Sequence, residues 1–187
     1  MKQLVLGSKS PRRQQLIKEL GYNVEVRTID VEEIYPDTLN PTEVPEFLAK
    51  LKAAPLKSTL IQDEILVTSD TIVLLDGNII GKPKNHTEAI ETLKMLSGNT
   101  HAVITGVNLC SLKKEISFST KTEVQFSILS DEDIQHYVSK YNPIDKAGSY
   151  GIQEWIGYIG VKGIIGCYYN VMGLPLHDLN KALKNFD

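Results

Sequence analysis

Arginine is scarce in this chain of 187 residues: Arg12, Arg13 and Arg27 are all it has. Lysine and arginine together number 20 against 23 aspartates and glutamates, a net charge of -3. A chain without surplus positive charge is no electrostatic match for a nucleic-acid polymer, so a phosphate-bearing ligand needs a local basic pocket. Cysteine is nearly absent too. Cys110 and Cys167 stand far apart, with no CxxC or Cys/His ligand spacing around them, and both are expected as free thiols. No window approaches the roughly 18 consecutive apolar residues of a membrane span, so no membrane partner is expected. The opening MKQLVLGSKSPRRQQ has an apolar run too short for a secretory signal core, and the cytosol is the default location. Repeats, low-complexity tracts and long linkers are missing as well, which predicts one domain over residues 1–187.

What remains is a 42% hydrophobic, 23% charged composition typical of a globular fold. Periodicity predicts strands at Leu4 to Leu6, Asn23 to Ile29 and Ile65 to Leu75, the last turning through Asp76, Gly77 and Asn78 into Ile79 and Ile80. Two long strands are expected between His101 and Leu129. Helices are predicted at Gln14 to Leu20, at Thr42 to Lys57 with Val44, Phe47, Leu48 and Leu51 inward, at Thr87 to Leu96, after Ser130, and from His177 to Phe186. Pro55 should end or kink the second of these. The glycine-rich stretch from Gly148 to Gly173 reads as strands with tight turns. The whole is a mixed α/β protein.

Four stretches could carry chemistry. In Gly7-Ser8-Lys9-Ser10-Pro11-Arg12-Arg13, Ser10 suits a helix N-cap and Pro11 the first helical position, so free backbone N–H groups face the loop and make an anion site. Cations in a helix's first turn are disfavoured, so an anion should compensate Arg12 and Arg13. The loop lacks the G-x-x-x-x-G-K-[ST] pattern of a P-loop NTPase. Asp70, between Ser69 and Thr71 in an apolar strand, is costly unless it is paired or at the strand's mouth, which leaves two readings open: a cation, metal or catalytic role, or a structural turn aspartate. Lys82, between Gly81 and Pro83, could reach a phosphate. Asp145 to Gln153 and Asn170 to Pro175 combine small residues with polar groups able to read a base or a phosphate.

Taken in order, S-K-S-P-R-R, S-D-T, G-K-P, T-G-V, D-K-A-G-S-Y-G-I-Q and N-V-M-G-L-P resemble the Maf family from about Leu4 to Leu176. The resemblance implies a mixed-sheet, elongated, two-lobed α/β fold of the inosine-triphosphatase-like type, with its cleft between the lobes. It also implies a nucleoside triphosphate pyrophosphatase, in a family linked to septum formation and cell-division arrest. The D-K-A-G-x-Y-G-I-Q segment is similar to that of the branch acting on dTTP and UTP. Carried over residue by residue, Asp70 is the proton acceptor, and Arg12, Thr71 and Gln153 tune specificity. Glu33 and Lys52 match the family's acidic and basic pocket positions. With Lys82 these make the catalytic set, while Ser8, Ser10, Arg12, Arg13, Thr71 and Gln153 would bind substrate.

A divalent cation, Mg²⁺ or Mn²⁺, is expected on the oxygens of Asp70 and Glu33 together with the phosphates. The Gln153 amide, donor and acceptor at once, could pair with the O4 and N3–H edge shared by uracil and thymine. A homodimer is compatible with this reading. Three departures stand out: Gly7 where alanine is frequent, Cys167 where serine is common, and Glu154-Trp155 where residues are usually small. Two alternatives stay open. One is a nucleotide-sensing regulator of septum formation that does not hydrolyse; the other, a nucleotidyltransferase, is weakened because no D-x-D pair follows the Gly7 to Arg13 loop.

Overall fold

The computed structural model describes residues 3–186, so residues 1, 2 and 187 of the expected domain lie outside the described residues. The apolar run Leu4 to Leu6 makes β1 (Gln3–Leu6), parallel to both β2 (Val24–Val26) and β3 (Glu64–Leu75), with Leu6 opposite Val26 and Val67. β4 (Asn78–Ile80) folds back antiparallel on β3. Its two-residue connection, Asp76-Gly77, takes φ of +50° and +80°, the positive pair that a twist-matched hairpin turn demands. With β5 (Thr100–Cys110), β6 (Glu115–Phe126) and β7 (Val161–Ile165), the sheet runs β2-β1-β3-β5-β6-β7, with β4 on β3.

The helices are α1 (Pro11–Lys18), α2 (Val44–Lys57), α3 (His86–Leu96), α4 (Asp131–Tyr141), α5 (Trp155–Gly160), α6 (Tyr168–Val171) and α7 (Leu176–Lys184). Polar caps set three of their starts. Ser10, Asn85 and Ser130 each accept a backbone N–H three residues on. Among the described residues no helix is long and apolar enough to cross a membrane.

The chain divides into two compact units, each assembled from separate stretches. One comprises Met1–Thr71, Thr105–Thr120 and Gly173–Asp187; the other comprises Ile72–Ile104 and Lys121–Met172. In the first, Val5, Ala53, Leu56, Leu60, Leu66 and Cys110 form a core in which α2 covers the sheet. α2 comes so close that a Cβ on Gly106 would lie 2.2 Å from the backbone of Pro45 and Glu46. In the second, Leu93, Phe126, Ile134, Tyr137, Tyr150 and Ile156 are among the buried residues of a larger core.

Several expectations need correction. Of the α2 residues expected inward, Val44 and Leu48 are buried, but Phe47 is 36% exposed and Leu51 half-buried, and Pro45, Ala49, Ala53 and Leu56 complete the buried face. Pro55 stays inside α2, which runs on to Lys57, because so late in the helix it costs only a terminal hydrogen bond. The Gly148 to Gly173 stretch is mostly short helices and turns, with β7 its one strand. Its glycines serve close approach rather than strand turns: a Cβ on Gly157 would lie 1.9 Å from the Ile152 carbonyl oxygen.

Candidate active site

The middle of β3 reads Thr68-Ser69-Asp70-Thr71, four polar residues between the apolar runs Ile65 to Val67 and Ile72 to Leu75. Such a stretch is tolerable only if its groups find partners. For Thr68, Asp70 and Thr71 those partners come from other elements of the same unit, while the Ser69 hydroxyl is buried with none among the described residues. Thr68 donates its hydroxyl to the Ala49 carbonyl of α2 at 2.7 Å. The Asp70 carboxylate meets the Lys52 ammonium at 2.6 Å, one turn along that helix. The same ammonium lies 2.8 Å from Glu33, in the irregular segment after β2. Residues 33, 52 and 70, distant in sequence, thus converge on one point.

Arg13 fixes the strand on either side of Asp70. Its guanidinium donates to the Ser69 carbonyl at 2.8 Å, to the Thr71 hydroxyl at 2.9 Å and to the Gly173 carbonyl at 2.8 Å. The planar fork suits three acceptors in different directions, which a lysine could not satisfy together. Gly173 takes φ of +107°, a backbone conformation that favours glycine. Burial lowers the Arg13 pKa below the usual arginine value, and the Asp70 charge opposes the shift. Thr71 also pairs with the Thr105 hydroxyl of β5 at 2.9 Å.

The loop before α1 completes this unit's set. Ser8 is buried, and its hydroxyl accepts the Ser10 N–H at 3.2 Å, while its carbonyl accepts from the Gln14 side chain. Ser10 caps the helix and Pro11 opens it, as expected. Gly7 has a local reason: a methyl there would sit 2.6 Å from Thr68 Cγ2 and 2.8 Å from Leu56 Cδ1.

Of the residues singled out from sequence, Ser8, Ser10, Arg12, Arg13, Glu33, Lys52, Asp70 and Thr71 fall in this unit, whereas Lys82 and Gln153 fall in the other. Lys82 is exposed on the loop after β4, beside an open hollow also lined by Asp76, Asn78, Glu88 and Met95. Gln153 is half-buried, and its Oε1 is buried with no hydrogen-bond partner among the described residues.

Among the described residues no three His, Cys, Asp or Glu side chains come close enough to form a metal cluster. Asp70 and Glu33 nevertheless share a single cation, the Lys52 ammonium. Two hard oxygens converging on positive charge fit an ion such as Mg²⁺, which takes few protein carboxylates and completes its shell with water and phosphate.

The family model described as Maf-like protein matches residues 3–186. The chain belongs to the Maf family. Its relatives include a dTTP/UTP pyrophosphatase of Phocaeicola vulgatus, 53% identical over 97% of this chain and 94% of that one. Another of that name, from Porphyromonas gingivalis, is 48% identical over 98% and 94% respectively. Among solved structures, the Ham1 protein of Staphylococcus aureus aligns over the whole of both chains with a TM-score of 0.57 at 16% identity. A HAM1 protein from Coxiella burnetii gives 0.54 at 15%, over 99% of this chain and 100% of that one. At such identities the likeness shows the fold, and the mixed α/β Maf fold is the one expected from the motifs.

Within this Maf-family chain, sequence reasoning missed the acceptors that anchor Arg13. Two are backbone carbonyls, of Ser69 and Gly173, and carbonyls leave no mark in residue identity. Thr105 stood in a quoted motif but received no role, because its pairing with Thr71 depends on β3 and β5 being neighbours in the sheet.

Proposed function

We propose that this protein hydrolyses dTTP and UTP to the nucleoside monophosphate and pyrophosphate. The observation carrying this reading is the fixed Asp70 carboxylate, its neighbours Ser69 and Thr71 held by Arg13 and its oxygen paired with Lys52. A base locked in place in this way suits abstraction of a proton from water. The water oxygen attacks the α-phosphorus, its proton passes to Asp70, and the bond from the α-phosphorus to the bridging oxygen breaks. That oxygen leaves with pyrophosphate.

Ser8 and Ser10 would donate their hydroxyls to phosphate oxygens, and Arg12, Lys52 and Lys82 would offset the triphosphate charge. Asp70 and Glu33 would hold a Mg²⁺ or Mn²⁺ ion, which supplies charge neutralisation for the leaving group. Gln153 supports reading of the pyrimidine edge through its amide N–H₂, which would donate to O4 of uracil or thymine but would meet an amino group in cytosine, while Oε1 is buried. The relatives named dTTP/UTP pyrophosphatase support the same substrates.

The test is incubation with dTTP, UTP, dCTP, ATP and 7-methyl-GTP, with products identified for wild type and for Gln153→Ala. Hydrolysis of dTTP and UTP should lead, giving monophosphate and pyrophosphate, and Gln153→Ala should flatten the preference. Release of orthophosphate and a diphosphate, or binding without turnover, would overturn the assignment.

A further inference from the structure

Gln153 occupies the third position of a four-residue turn, Gly151-Ile152-Gln153-Glu154, closed by the Glu154 N–H donating to the Gly151 carbonyl at 2.9 Å. The Glu154 side chain closes the same turn a second time. One carboxylate oxygen accepts from the Tyr137 hydroxyl, and that hydroxyl accepts the Gly151 N–H at 3.0 Å. The other oxygen lies 3.3 Å from the Lys146 ammonium, which also pairs with Asp145 at 2.8 Å. Gly151 makes room for this arrangement, since a Cβ there would lie 2.7 Å from Glu154 Cδ. A third tie comes from Tyr158, whose hydroxyl donates to the Gln153 carbonyl at 2.7 Å. Tyr137 is fully buried and stacks on Tyr141. Burial raises its pKa far above the usual phenol value, so it remains a donor at any working pH.

We propose that Glu154, gripped by Lys146 and Tyr137, is a positioning residue that holds Gln153 in the orientation that discriminates uracil and thymine from cytosine. The inference rests on the reading of Gln153 as the base-contacting residue. Its physical basis is a symmetry of the amide. A half-turn about the last side-chain bond exchanges Oε1 with the N–H₂ group, and the flipped amide matches the inverted edge of cytosine as well as the original matches uracil. A glutamine by itself therefore selects neither base. Selectivity lies in whatever prevents the flip. Burial of Oε1 sets which end of the amide is enclosed, and the ties at the first, third and fourth residues of the turn hold the backbone from which that side chain extends. A charged pair on the far side of the turn suits this task. Three acidic or basic groups and one phenol make a network in which each atom has a fixed partner.

The experiment measures kcat and KM for dTTP, UTP and dCTP on the full-length chain, for wild type, Glu154→Gln, Glu154→Ala, Tyr137→Phe and Gln153→Ala, and for the double variant of Glu154→Gln with Gln153→Ala. Glu154→Ala and Tyr137→Phe should lower the dTTP-to-dCTP ratio of kcat/KM about tenfold, chiefly through KM for dTTP, because the mobile amide accepts either base. Glu154→Gln retains an acceptor for Tyr137 and should recover part of the ratio. In the Gln153→Ala background the Glu154 substitution should have no further effect on the ratio, the signature of a residue acting through its neighbour. A fall in melting temperature with the ratio within about twofold of wild type would overturn the proposal, since disturbed packing alone predicts that outcome. So would an undiminished Glu154 effect without Gln153. If Gln153→Ala itself leaves the ratio unchanged, the base-contact assignment fails first and this proposal falls with it. Should Glu154→Ala not fold, Glu154→Gln and Tyr137→Phe decide the matter.

Discussion

Asp70 sits in the interior of β3 only 7% exposed, with the Lys52 ammonium 2.6 Å from its carboxylate. Replacing it by asparagine keeps the shape and the strand while removing the proposed proton acceptor. Asp70→Asn should lower kcat by about 10² to 10⁴-fold with a normal circular dichroism spectrum. Near-wild-type turnover would move the base elsewhere. Arg13 invites a different test, because its role rests on the fork and not on charge alone. In Arg13→Lys a single ammonium cannot reach the Ser69 carbonyl, the Thr71 hydroxyl and the Gly173 carbonyl together. Each acceptor left without its donor costs about 1–3 kcal/mol, so the urea midpoint should fall along with kcat. The presence of Arg12, Arg13 and Asp70 was plain in the sequence. That Arg13 spends its donors on the protein, around the residues flanking Asp70, was not, since two of its acceptors belong to the backbone.

Elements whose signal is local were readable, and those defined by close approach were not. Ser10, Asn85 and Ser130 cap helices because a short polar side chain beside an amphipathic run satisfies backbone N–H groups without help from the rest of the fold. Asp76-Gly77 makes its hairpin for a similarly local reason. The stretch from Gly148 to Gly173 misled because glycine can serve a strand turn, a helix end or a backbone contact, and only the contacted atom tells these apart. Cys167 is a smaller case. It stands at the N-cap of α6 without a side-chain cap bond, where serine would supply one. Gly106 is the sharpest element-level test. Gly106→Ala would press a methyl into the first turn of α2, 2.2 Å from its backbone, and rigid overpacking of this kind lies at or beyond the upper end of about 1–3 kcal/mol. A chemical-denaturation midpoint unchanged from wild type would show that α2 can move away. Because α2 carries Lys52, activity should fall with stability.

At the scale of the molecule, stability and activity each respond to one solution condition. His101 is buried, with its Nε2 on the Tyr150 hydroxyl at 2.8 Å, and burial lowers its pKa from 6.5 to about 4. The unfolded chain takes up a proton as pH falls through 6.5, while the folded protein resists until about 4. The contribution of His101 to stability is therefore complete above the unfolded value. It is lost progressively across that window, at about 1.4 kcal/mol per pH unit and about 3 kcal/mol in all. Urea unfolding of wild type and His101→Gln at pH 7 and pH 4.5 should show a smaller pH penalty in the variant; equal penalties would place the effect in other groups. The second condition is the divalent ion. Exhaustive chelation should stop turnover, and Mg²⁺ or Mn²⁺ should restore it, because Asp70 and Glu33 offer two hard oxygens to a cation while the triphosphate brings the rest. Full activity after chelation would leave neutralisation to lysine and arginine alone.

The sequence by itself determined the class of fold, the order of most elements and the family, because motifs such as S-K-S-P-R-R and D-K-A-G-S-Y-G-I-Q are specific in residue type and in order. It also named Glu33, Lys52 and Asp70 individually. Tertiary structure alone decided that these three share one point, since Lys52 and Asp70, 18 positions apart in sequence, meet only when α2 packs across β3. It alone decided, too, that Glu154, visible in the sequence merely as an unusual neighbour of Gln153, reaches Lys146 and Tyr137. Residue identity fixes what a side chain can bond to. Which partner it meets depends on burial and on the approach of distant backbone, and those are properties of the packed chain.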